Sequence, residues 1–307
     1  MFDSEQLQSA SKGSNFENIQ LHNGVFRADL MRIELPRLVI DYGLYNIGTL
    51  ARGEIAKGHH VIGIILSHGT ESKLNKTTVQ IGNICFFPAG CEINLIFGVR
   101  PHWCTLAFEK EYFEEAMNLI LGTDNPCSPD QKVIMPACPE GDRLLRALRA
   151  TFFDKDLLLL GEERQENNLN LVEYLLTESI NLIFGRKHPP RESELSSRKK
   201  VVLRAEEYMS TLNLDEIKVA NLARELNISI RTLQYSFKDI YGITPKRFLN
   251  IRRLNVARQM ILRNQELTVT DHAINSGYWH MSQFAADYKA LFGESPSDTL
   301  KERRLSP

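Results

Sequence analysis

A chain of 307 residues has room for about two domains of ordinary size. With 43% hydrophobic and 24% charged residues, and no apolar run near the roughly 20 residues of a membrane span, it reads as a globular protein with no membrane partner. The net charge of −1 hides a division: 19 of the 37 Lys and Arg and 14 of the 38 Asp and Glu lie from residue 191 onward, leaving 18 against 24 before it. The basic second part is therefore the one suited to a polyanion.

The N-terminus, MFDSEQLQSASKGSNFENIQ, has neither a basic start nor an apolar stretch. No secretion signal is expected, and a cytoplasmic location follows. From Val25 to Phe108 short apolar runs alternate with Gly, Pro and Asn: VFRADLMRIEL, LVIDYGLYNIGTL, VIGIILS, TTVQI, ICFFP, INLIFGV and WCTLAF. That spacing predicts the strands of a sandwich or barrel. The five cysteines, Cys85, Cys91, Cys104, Cys127 and Cys138, are odd in number and contain no C-x-x-C pair. Reduced thiols are expected, with no disulfide framework and no zinc.

Within the strands, GNICFFPAG from Gly82 to Gly90 fits G-x5-P-x-G, the second motif of cupin barrels. This segment resembles cupins without their metal site. Metal-binding cupins place a His three residues beyond that last Gly, where this chain has Ile93, and the H-x-H pair of the first motif is missing. His59 and His60 are adjacent, so on a strand they point to opposite faces. His68 and His102 read as surface or hydrogen-bonded histidines. No metal and no cofactor are expected.

Helices are predicted at Lys110 to Leu121, Gly141 to Phe153 and Gln165 to Phe184. In the last, Leu169, Val172, Leu176, Ile180 and Ile183 share one face at three- and four-residue steps. Leu171, Leu175 and Leu182 widen this stripe. The surplus suggests either packing within the domain or a second subunit, hence a homodimer. FGRKHPPRESELSSRKK, Phe184 to Lys200, has a Pro-Pro pair and no core periodicity, so it reads as a linker. The expected domains are 1–184, a linker at 185–198, and 199–307.

After the linker nearly everything is helical: Lys199 to Thr211, Ile217 to Leu226, Ile230 to Tyr241, Pro245 to Arg263, Thr270 to Ser276, and Met281 to Phe292. Here a unit occurs twice. Ala223 and Ala273 stand 50 residues apart, Pro245 and Pro296 stand 51 apart, and so the second turn is one residue longer. In the first unit Asn227 can end a helix in the left-handed conformation, Ser229 can cap the next, and Leu233 and Phe237 face inward. Gly277, Phe284 and Tyr288 serve alike in the second. Gly242 and Gly293 end the second helices, and Pro245 and Pro296 start the next ones. Phe248, Ile251, Leu254, Ala257 and Ile261 give the connecting helix one apolar face. A small residue at a crossing, a helix stop four residues on and a following helix make a helix-turn-helix.

LARELNISIRTLQYSFKDIYGITPKRF and HAINSGYWHMSQFAADYKALFGESP resemble the DNA-binding domain of the AraC/XylS family of bacterial transcription regulators, over about a third of the chain. The resemblance implies an α+β two-domain fold, with a cupin-like β-barrel and helices in front of an all-α double helix-turn-helix domain. It implies that each second helix enters a major groove of promoter or operator DNA. The base-contacting candidates are Arg231, Thr232, Gln234 and Tyr235 in the first unit and Met281, Ser282 and Gln283 in the second. Arg231 suits guanine and Gln234 adenine. Ala286 stands where relatives often have Arg, and Asp287 adds like charge near phosphate. The first unit is therefore expected to supply most base discrimination. The ending SDTLKERR departs from the family's usual aromatic-Arg ending, which leaves the packing after Pro296 open. Lys246, Arg247, Arg252 and Arg253 gather early in the connecting helix. Arg247 is the preferred phosphate contact, with Lys246, Lys238 and Arg252 as others.

The function implied is a regulator, by family habit an activator, working with RNA polymerase and sensing a small effector through its first domain. Control by a partner protein is one alternative. An enzyme on the barrel is another, and no H-x-H, G-x-S-x-G or phosphate loop supports it.

Overall fold

The computed structural model describes residues 14–67, 69–74, 77–122, 133–153, 162–185, 197–214, 216–264 and 266–305. His68, Cys127 and most of the expected linker lie outside them. Two compact units emerge: Met1–Asn18 with Arg27–Ser193, and Ile19–Phe26 with Glu194–Pro307.

The first unit is built on two antiparallel sheets. Its strands are β1 (Ser14–Gln20), β2 (Ala28–Leu35), β3 (Leu38–Tyr45), β4 (Thr49–Ile55), β5 (His59–Ser67), β6 (Ser72–Leu74), β7 (Thr77–Val79), β8 (Ile84–Phe87), β9 (Glu92–Ile96), β10 (His102–Glu109) and β11 (Val133–Met135). One sheet runs β1-β4-β9-β6-β7 and the other β11-β8-β5-β10-β3-β2. LVIDYGLYNIGTL, read as one strand, is two: it breaks after Tyr45, and β3 and β4 go to different sheets. The Asn46–Gly48 stretch supplies the turn that the apolar count alone conceals.

Three helices follow: α1 (Lys110–Leu121), α2 (Pro139–Phe153) and α3 (Glu162–Phe184). Alternation puts Ile40, Ile62, Ile64, Phe86, Leu106 and Phe108 of the six-stranded sheet in one cluster with Phe113, Leu144 and the apolar side of α3. Val172, Leu176, Ile180 and Ile183 are buried there, and so are Leu175 and Leu182. The wide stripe is absorbed by its own unit, leaving Leu169 at 45% exposure as its exposed member. The apolar face that suggested a dimer is therefore already covered.

On the other side of the six-stranded sheet aromatic rings lie over glycines. Gly43 sits opposite Trp103, and a Cβ there would come within 2.3 Å of the indole. Tyr45, Phe97 and Trp103 meet with ring centroids 5.4 to 6.3 Å apart. Ile93, at the position where metal-binding cupins carry His, is buried. His60 is fully buried; its Nδ1 accepts from the Ala89 N–H at 3.1 Å, so the proton is on Nε2, 3.2 Å from Glu114 Oε1. Burial holds this imidazole below its ordinary pKa, against the raising influence of Glu114. Burial likewise pushes the Cys85 thiol up to about 12, making it an unreactive core group.

The second unit contains α4 (Ser197–Ser210), α5 (Val219–Glu225), α6 (Ile230–Tyr241), α7 (Pro245–Arg263), α8 (Val269–Asn275), α9 (Met281–Phe292) and α10 (Pro296–Leu305). Its core is the predicted one: Leu233, Phe237, Phe248, Ile251, Leu254, Ala257, Ile261, Phe284 and Tyr288 are all buried. Tyr241 stacks on Phe248 at 4.6 Å and sends its hydroxyl to Glu206 Oε1 at 2.5 Å. Ile19–Phe26, far from these helices in sequence, also belongs to this unit. The Gln20 Nε2 donates to the Leu291 carbonyl at 2.7 Å, the Gly24 N–H to the same oxygen at 2.9 Å, and the Gln20 N–H to Asn255 Oδ1 at 3.1 Å.

Candidate nucleic-acid interface

The local chemistry of the repeat sets the pose of α6 and α9. Asn227 takes φ 54° and ends the first helix–turn. Ser229 Oγ accepts the Thr232 N–H at 3.0 Å, which starts α6. Gly242, at φ 71°, and Gly293, at φ 80°, stop α6 and α9 in the left-handed region. Thr244 caps α7, with Pro245 in its first turn. Two further caps escaped the sequence reading although their spacing was visible. Thr268 and Asp271 form a reciprocal capping box on α8, and Ser295 and Asp298 exchange the same bonds at 3.1 Å before α10. The departing ending after Pro296 thus still makes a capped helix.

Arg231, Gln234, Tyr235 and Lys238 are exposed on α6 at steps of three, one and three, which is one helical face. Arg231 and Tyr235 are joined: the Arg231 Nη2 donates to the Tyr235 hydroxyl at 3.0 Å, and the guanidinium lies 5.2 Å from the ring centre. Thr232 is also exposed, but its hydroxyl is engaged with Ser229 Oγ at 2.8 Å. On α9, Ser282 and Gln283 are exposed, as are Ala285 and Ala286, while Met281 is half-buried. Trp279 stands 71% exposed in the turn before α9. An aromatic before a helix start belongs to no periodic run and so carries no signal in the sequence.

Asp287 does more than add charge. Its Oδ1 accepts from Gln283 Nε2 at 2.7 Å and its Oδ2 from Asn250 Nδ2 at 2.8 Å. The basic group on α7 also divides. Lys246 is exposed, whereas Arg247 donates from Nη2 to Asn23 Oδ1 at 3.0 Å. Arg253 holds the Leu214 carbonyl at 2.6 and 3.1 Å, so it is a structural brace. The Arg252 Nη1 is buried without a hydrogen-bond partner. Among the described residues no three His, Cys, Asp or Glu side chains come together as a metal-binding group, and no helix is long and apolar enough to cross a membrane.

Two helix-turn-helix elements joined by a long helix, each with an exposed second helix, define a DNA-binding module of the double type. The helix-turn-helix domain family matches residues 222–302. The region is similar to the probable thc operon regulatory protein of Rhodococcus erythropolis, 37% identical over 103 residues, 33% of this chain and 31% of that protein. It is similar also to XylDLEGF operon transcriptional activator 1 of Pseudomonas putida, 34% identical over 91 residues, 29% of this chain and 28% of that protein. Against solved structures, the AraC-like transcriptional activator CuxR matches over 89% of this chain and 94% of its own, at 16% identity and a TM-score of 0.44. The chain spans about a third of the length of the curated relatives it matches. The C-terminal unit carries a helix-turn-helix domain.

Proposed function

We propose that this chain is a sequence-specific DNA-binding transcription regulator, an activator working with RNA polymerase at promoter DNA in the cytoplasm. The observation that carries the proposal is the pair of exposed second helices, α6 and α9, held by one 19-residue helix. That helix is about 28 Å long at 1.5 Å per residue, near the roughly 34 Å between successive major-groove faces.

The first helix-turn-helix supplies most of the base reading. Arg231, steadied by Tyr235, suits a guanine edge, and Gln234 an adenine edge. Thr232, with its hydroxyl occupied, contributes through its methyl group. In the second helix-turn-helix Ser282 and Gln283 are the polar readers and Met281 an apolar one. Lys246, Arg247 and Lys238 meet phosphate, with the amides at the start of α7 beside them. Arg252 has the weaker claim, because one of its guanidinium nitrogens faces inward. The N-terminal unit, read as a cupin-like barrel, is the sensor of a small organic effector. Binding there shifts the regulator between states by its differential affinity for them.

The test is DNA affinity against salt for the intact protein and for Lys246→Ala and Gln234→Ala. Lys246→Ala weakens binding to all sequences and lowers the salt slope by about one. Gln234→Ala removes preference at one base pair and leaves the slope alone. Two variants with identical effects on slope and preference would contradict the assignment.

A further inference from the structure

We infer that Asp287 is a positioning residue that locks the amide of Gln283 in one orientation and thereby makes α9 read adenine in preference to guanine; this rests on the DNA-reading function proposed above. A carboxylate has only acceptors, so each amide that meets it must present its NH2 group. Gln283 Nε2 lies 2.7 Å from Asp287 Oδ1, and Asn250 Nδ2 lies 2.8 Å from Asp287 Oδ2. Gln283 and Asp287 are four residues apart on α9, and Asn250 comes from α7. The carboxylate is therefore gripped from a second helix and cannot swing away with Gln283.

What Gln283 can still offer is its Oε1 and one remaining N–H. An acceptor beside a donor complements the major-groove edge of adenine, which presents the N6 donor and the N7 acceptor. Guanine presents two acceptors, N7 and O6. To meet both, the Gln283 amide would have to turn its oxygen away from the base, and in this setting the oxygen would then face the Asp287 carboxylate. That exchanges a charge-assisted hydrogen bond for two opposed acceptors. A free glutamine can flip at little cost; this one cannot. Asp287, which as a bare charge opposes phosphate, here gives selectivity in exchange for some affinity.

The experiment is selection from random duplex DNA with the full-length protein, followed by affinity measurements on the selected site with the single base pair varied. Four proteins are compared: the parent, Gln283→Ala, Asp287→Asn and Asn250→Ala. Gln283→Ala identifies the base pair that the side chain reads. Asp287→Asn can pair with either orientation of the amide. It is expected to bind random duplex as well as the parent or better, and to lose about tenfold of the adenine-over-guanine preference at that pair alone. Asn250→Ala is expected to lose part of the same preference, which provides a second route should Asp287→Asn disturb folding. If Asp287→Asn and Asn250→Ala change affinity for all sequences equally and leave the preference intact, the lock is wrong while the DNA-reading function stands. If Gln283→Ala alters no position, Gln283 is not a reader and the inference falls. A parent that selects no sequence removes the function and the inference together.

Discussion

His60 is a buried histidine kept neutral by its surroundings, with Ala89 donating to Nδ1 and Glu114 near Nε2. Because burial lowers its pKa in the folded chain, the folded state binds fewer protons than the unfolded state near pH 6. Its contribution to stability is complete above the ordinary histidine pKa of about 6.5 and is lost as pH falls through the lowered folded value. Urea unfolding at pH 7.5 and 5.5 should show this loss in the parent and a smaller one in His60→Gln; equal losses would remove His60 from the account. At the start of α6, Ser229→Ala deletes the acceptor of the Thr232 N–H and should cost about 1 kcal/mol of stability, read as a lower denaturation midpoint of the transition that reports the C-terminal unit. Asp287 shows where residue-level reading from sequence stops. Its type and exposed helix predicted repulsion from phosphate, but the partner that redefines it, Asn250, is 37 positions away, and no periodicity links the two.

Among the elements, α6, α7 and α9 were legible to the residue, because each carries three- and four-residue apolar steps and a stop or start signal at one end or both. α6, α7 and α9 lie where the sequence puts them. The sheets were less legible. β1 is absent from the sequence reading because SNFENIQ has few apolar residues, and β6 and β11 have three residues each, too few to show alternation. Placement of Leu175 and Leu182 depended on how much sheet stood opposite α3, which a single helix cannot reveal. The two helix-ending glycines separate backbone freedom from packing. A Cβ at Gly242 meets nothing within 4 Å, while one at Gly293 would lie 2.7 Å from Val25 Cγ2 and 3.2 Å from the Val25 nitrogen. Both substitutions to Ala incur the left-handed backbone cost of about 1 kcal/mol. Gly293→Ala should cost more, and denaturant midpoints of the two variants measure the difference. Equal midpoints would mean that Ile19–Phe26 does not press on α9 in solution.

For the whole molecule, the charge division found in the sequence follows the two units: one whose described residues form two sheets and three helices, and a basic helical unit with two exposed helix faces, on α6 and α9. In the proposed function, electrostatics brings the second unit to DNA without regard to sequence, and the side chains of α6 and α9 are the ones that would discriminate. The central claim is that these two helices read one DNA site together. Selection from a pool of random duplex DNA by the full-length protein, at several salt concentrations, tests it most directly. The account predicts two short blocks of base preference with centres about 10 base pairs apart, the block read by α6 being the stronger and losing its preference at one base pair in Gln234→Ala. A single block that Gln234→Ala leaves unchanged, or no preference at any salt concentration, would contradict it.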